Sequence, residues 1–113
     1  MTQGYLQADL LNAATADETT SPWVDVRGRT AVVFYVEGLG TTSGGVVTLE
    51  ESLPAPSGTW AATAASIGTV NATAVSGGVQ IATHVSGAYA FVRARVSTAI
   101  TGGGSVSARV VAA

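Results

Sequence analysis

The chain predicts an all-β protein: an antiparallel β-sandwich or jelly roll of about eight short strands with an N-terminal arm. Three observations carry that expectation. Short strand-like runs follow one another from Trp23 to the C-terminal end, Gly, Pro, Ser and Thr separate them at short intervals, and no segment sustains a helical period. At 113 residues the chain is a single domain, with an arm over residues 1–21 and the sandwich over 22–113.

The first segment, Thr2 to Ser21, differs in pattern from the rest. Tyr5-Leu6-Gln7-Ala8-Asp9-Leu10-Leu11-Asn12-Ala13-Ala14 suits a short helix or an extended arm, and Thr15 to Pro22 has the composition of a linker. Fully extended, such a segment reaches roughly 66 Å. Two roles stand open: clasping a neighbouring subunit through Tyr5, Leu6, Leu10 and Leu11, or covering an open end of its own sandwich. Under the first, removal of everything before Pro22 leaves a folded domain with weakened association.

Trp23 to Arg27 leads through Gly28 into Thr30-Ala31-Val32-Val33-Phe34-Tyr35-Val36-Glu37, a β-branched and aromatic run that suits a central strand buried on both faces. Gly38 to Gly45 supplies a turn, and Val46 to Ser52 is the expected hairpin partner. Leu53-Pro54-Ala55-Pro56-Ser57-Gly58 cannot continue a ladder, because proline lacks the N–H and fixes φ. Thr59 to Ala62, Gly68 to Val75 and Val79 to Val85 are three further strands, although Ala61 to Ala65 also suits a short helical turn.

The last third carries the most information. Val85 to Val96 runs through a Gly/Thr/Ser turn into Ser105 to Val111, two alternating strands expected to form a β-hairpin that holds three of the five basic residues. If Ala90, Val92, Ala94 and Val96 face a core, then Tyr89, Phe91, Arg93 and Arg95 share the opposite face. Hairpin register sets Arg93 across from Arg109, and like charges so placed require a compensating carboxylate. Glu37, Glu50 and Glu51 are the internal candidates; an acidic patch on a neighbouring subunit is the external one.

Composition excludes several function classes. Five Arg stand against seven acids, Lys is absent and the formal net charge is −2, which argues against nucleic-acid binding. No Cys is present, so disulfides and thiolate metal sites are ruled out. No apolar run is long enough for a membrane-spanning helix, and Met1-Thr2-Gln3 does not open a signal peptide, so the expectation is a soluble protein made in the cytoplasm.

Catalytic constellations are equally sparse. His84 is the single histidine, no nucleophile elbow occurs, and Gly102-Gly103-Gly104 precedes a strand rather than the helix N-terminus that phosphate binding needs. The chain is therefore expected to be no enzyme and to hold no cofactor. His84 suits surface packing better than a pH-sensitive contact. Asp25, Glu37, Glu50 and Glu51 lack the Asp-x-Asp-x-Asp spacing of a calcium loop, and no metal site is expected. Trp23, Trp60, Tyr35 and Tyr89 fit a core or subunit interface, with a sugar-stacking platform as the alternative.

The closing strands, taken with Trp23-Val24-Asp25-Val26-Arg27-Gly28 and Ser57-Gly58-Thr59-Trp60, resemble the small β-sandwich proteins of tailed bacteriophages. Those proteins decorate the outside of capsids, or serve as head-fibre and tail-accessory modules. The similarity covers about Pro22 to the C-terminal end and is one of strand and turn pattern. It implies a capsid decoration, or cement, protein: a homotrimer on the virion exterior, made in the host cytoplasm, whose partner is the major capsid protein. Docking or trimer contacts would then fall on the arm and on Tyr89, Phe91, Arg93, Arg95 and Arg109. The alternative it implies is a carbohydrate- or receptor-binding module of a head or tail fibre, with Trp60 and Tyr89 touching the glycan, or a neck or tail accessory protein.

Overall fold

The computed structural model of the chain describes residues 5–52, 64–85 and 89–113. Among them are eight strands: β1 (Leu6–Ala14), β2 (Val24–Asp25), β3 (Val32–Leu39), β4 (Gly44–Ser52), β5 (Ala65–Asn71), β6 (Gln80–Val85), β7 (Phe91–Thr101) and β8 (Ser105–Ala112). A single 3₁₀ turn over Ala72–Val75 joins β5 to β6. The proposed strand over Thr59 to Ala62 and the proline loop before it lie outside the described residues, as does Trp60.

The strands form two antiparallel sheets, β1-β8-β3-β6 and β2-β7-β4-β5. Pairing is nested: β1 with β8, β2 with β7, β3 with β6 and β4 with β5. The chain is thus one long folded ribbon, rolled so that successive pairs fall in alternate sheets. This is a jelly roll, the expected sandwich class.

Two expected hairpins do not form. β7 and β8 lie in different sheets, as do β3 and β4, so each short connection is a corner between sheets rather than a turn within one. The two corners stack: Ser43 N–H donates to the Thr101 carbonyl at 2.8 Å, and Gly104 N–H to the Thr41 carbonyl at 2.7 Å. Gly102 makes this approach feasible. Its φ is +103°, and a β-carbon there would come within 2.7 Å of the Ser43 nitrogen. Arg93 and Arg109 consequently never face each other, and the expected like-charge pair does not arise.

Alternation places Val92, Ala94 and Val96 of β7 in the core, with Val106, Ala108, Val110 and Ala112 of β8 and Val32, Phe34 and Val36 of β3. Among the described residues Phe34 is the largest fully buried side chain, and the rest of the core is mostly Val and Ala. β3 is central in its sheet but buried on one face only, because Val33, Tyr35 and Glu37 remain half-exposed on the other. The expected strand over Gly68 to Val75 ends at Asn71. Beyond it the 3₁₀ turn sets Ala72 and Val75, three residues apart, on one buried side, and Thr42 Oγ1 donates to the Ala72 carbonyl at 2.5 Å.

The N-terminal segment is neither helix, linker nor free arm. Leu6–Ala14 is an edge strand whose Leu10, Leu11 and Ala14 are buried in the core, and two bulges interrupt its register with β8. Residues 15–22 run hydrogen-bonded along β7: Glu18 N–H donates to the Val96 carbonyl at 2.7 Å and Ser21 N–H to the Ala94 carbonyl at 2.9 Å. Ser21 Oγ also accepts from Ala94 N–H at 3.0 Å. The segment pairs with its own sandwich as an edge strand and a stretch bonded along β7.

Candidate functional site: the two outer faces

Each sheet turns one face to the core and one outward, so the outward residues of neighbouring strands assemble by register. On the outer face of β2-β7-β4-β5, Glu50 lies opposite Arg93, Thr48 opposite Arg95 and Ser52 opposite Phe91. Glu50 is the hub. Its side chain is only 6% exposed, and its two oxygens accept from Arg93 Nε at 2.9 Å and Arg95 Nε at 3.2 Å.

The network extends on both sides. The Arg93 guanidinium lies 4.2 Å from the centre of the Trp23 ring, and Arg95 Nη1 reaches Glu18 Oε1 at 2.9 Å. Hydrogen bonding to Glu50 raises the Arg95 pKa further above its ordinary value, fixing its charge. Beside it, Arg27 forms a fork with Asp25, Nε to Oδ1 at 3.0 Å and Nη2 to Oδ2 at 2.7 Å, while lying over the Phe91 ring at 5.1 Å. Below, Thr48 Oγ1 donates to Ser97 Oγ at 2.6 Å. Among the described residues no buried side-chain polar atom lacks a hydrogen-bond partner. This face is therefore rigid, aromatic and rich in Arg, with its charges mutually balanced.

The outer face of β1-β8-β3-β6 is different in kind. Tyr35 lies opposite Arg109 on one side and Ala82 on the other, and Glu37 lies between Ser107 and Gln80. A bulge around Ala13, whose φ is +49°, folds residues 12–13 over this face, where Ala13 N–H donates to the outward Ser107 Oγ at 3.0 Å. The bulged strand becomes a wall, and a groove of about 430 Å³ opens between it and β3, with Asn12, Tyr35, Glu37, Gln80 and Arg109 on its lining. Arg109 Nε donates to Asp9 Oδ1 at 3.1 Å on the rim.

The sequence-selected residues distribute as follows. Phe91, Arg93 and Arg95 share one outer face, as alternation predicts, and Glu50 is the carboxylate that balances the two Arg. Arg109 is on the opposite sheet with Asp9. Tyr89 is half-buried and packs against the core, so it does not belong to the Phe91 face. Leu10 and Leu11 are core residues and Leu6 packs against the core, leaving Tyr5, 79% exposed, as the open member of the arm set. Trp23 and Tyr35 lie on opposite faces of the sandwich and so share no platform, while Trp60 lies outside the described residues.

The acidic quartet is likewise dispersed. Glu37 is on one sheet and Asp25, Glu50 and Glu51 on the other, and among the described residues no group of three potential metal-ligating acids, His or Cys occurs. His84 is exposed on the outer side of edge strand β6. The groove escapes a linear reading because Asn12, Tyr35, Gln80 and Arg109 come from four strands; the one local signal is the outward alternation of Tyr35 and Glu37.

No protein-family model matches the sequence, and no curated protein or solved structure is significantly similar to it.

Proposed function

We propose that this chain is a structural virion protein, a decoration subunit that docks on the outer surface of a phage capsid and bridges neighbouring major capsid proteins. The observation that supports it best is the face built around Glu50. Trp23, Phe91, Arg27, Arg93 and Arg95 are the residue types enriched in protein interfaces; hydrogen bonds to Glu50, Glu18 and Asp25 hold the three Arg in place before any partner arrives, and two of them lie over the Trp23 and Phe91 rings. Preorganisation lowers the ordering cost of docking. Jelly rolls also recur in capsid proteins, a fold-level analogy that agrees with this reading.

Such a subunit acts by adding contact. An interface of about 1,200–2,000 Å² across two capsid proteins raises the work needed to separate them under internal pressure. The flat slab, 42 × 35 × 19 Å, suits attachment by one broad face, and three copies would multiply the contact through avidity.

The test mixes purified protein with tailed-phage capsids lacking decoration and measures co-sedimentation. Full-length protein is expected to bind with a solution mass near three times 11.2 kDa, and Phe91→Ala with Trp23→Ala to weaken binding about tenfold or more. Absence of binding to any shell, or unchanged binding by the double variant, overturns the proposal.

A further inference from the structure

We infer that the groove beside Tyr35 is a binding site for a short neutral saccharide. The inference stands apart from capsid docking, which uses the opposite sheet. Its starting point is a contrast between the two faces. Around Glu50 the charged and polar side chains are engaged with one another, whereas the side chains of Glu37, Gln80 and Asn12 converge on the groove and, among the described residues, take no part in the hydrogen bonds and ion pairs that hold the fold. Such unengaged donors and acceptors around a half-exposed ring are the ordinary furniture of a small-molecule site, and about 430 Å³ is within the usual range for one.

The shape of the floor selects the ligand class. Tyr35 is half-exposed and lines the groove, with Arg109 opposite it on β8 and only the small Ala82 opposite it on β6. An aromatic face bordered by a carboxylate and two amides suits a molecule with one flat C–H surface and a rim of hydroxyls. A pyranose has both, and each hydroxyl can donate to Glu37 and accept from Gln80 or Asn12.

Charge narrows the class to neutral sugars. Asp9 and Glu37 give two negative charges against one from Arg109, so a uronate or phosphate meets net repulsion. A basic peptide is the competing occupant of an acidic groove. Asp9 is already paired with Arg109, which leaves only Glu37 to receive a cation, and a flexible cationic chain has no use for the open ring.

The test titrates ¹⁵N-labelled full-length protein with maltotriose, cellotriose and chitotriose, with oligogalacturonate as the anionic control and trilysine as the cationic one. At least one neutral trisaccharide is expected to shift the amides of Tyr35, Glu37, Gln80 and Arg109 saturably below about 10 mM. Tyr35→Ala should weaken that binding about tenfold or more, Tyr35→Phe should retain the stacking share, and Gln80→Ala, at an exposed position, should weaken it in a protein of unchanged melting temperature. The inference is overturned if no neutral saccharide moves these amides, if the shifts map to Trp23 and Phe91, if oligogalacturonate or trilysine binds better, or if both Tyr35→Ala and Gln80→Ala bind like the parent. Because Tyr35→Ala leaves the Trp23 and Phe91 face untouched, co-sedimentation with capsids reports on the other proposal separately.

Discussion

Glu50 shows how one buried acid organises a surface. Its carboxylate accepts from two guanidiniums whose side chains stay 23% and 26% exposed, so the cations keep part of their hydration while the anion relies on them. Glu50→Gln keeps the volume but turns an NH₂ donor toward a donor. It is expected to lower unfolding free energy by about 2 kcal/mol, read from the urea midpoint at constant m-value. Asp25 gives the complementary pH signature. Hydrogen bonds from the Arg27 side chain, and secondarily from its backbone N–H, lower the carboxyl from 3.8 to about 2. A depressed folded-state pKa contributes stability that is fully present above the unfolded value and is lost as pH falls through about 2. NMR titration of Arg27→Gln should show the Asp25 midpoint moving up toward 3.8, and acid should then destabilise the variant less than the parent.

At the level of elements, β1 carries the largest departure from expectation. A leucine pair, Leu10-Leu11, breaks the two-residue alternation that would have announced a strand, because the bulge between Asp9 and Leu11 turns both side chains inward. The helix and arm readings followed from that doublet. With the strand in place, deletion of residues 1–14 is expected to abolish the cooperative thermal transition by circular dichroism, since β8 loses a partner and the core loses Leu10, Leu11 and Ala14. A truncated protein that melts like the parent would refute the assignment. Leu11→Ala is the milder test and should cost about 3 kcal/mol. By contrast β7 and β8 were legible down to their inward side chains because they alternate cleanly, whereas β3, β4 and β6 were legible only as strands: the continuous apolar run of β3 hid the half-exposed face that carries Tyr35 and Glu37.

At the level of the whole molecule, the same alternation is silent on neighbours. A strand's pattern reports its buried face but not its partner, and Gly102-Gly103-Gly104 satisfies a hairpin or a corner equally well, so β7 and β8 looked joined when they belong to different sheets. The partner of Arg93 and Arg95 could still be narrowed to three acids from charge alone, and Glu50 is one of them. The groove could not, since Asn12, Tyr35, Gln80 and Arg109 meet only once four strands are ordered. Nested pairing has one further outcome. Leu6 faces Ala112 across adjacent strands about 5 Å apart, so the first strand of the ribbon pairs with the last and no local stretch of chain completes the sandwich alone. Such pairing must close a long loop before it gains a contact, so stopped-flow refolding is expected on the slow scale of all-β domains, roughly milliseconds to seconds.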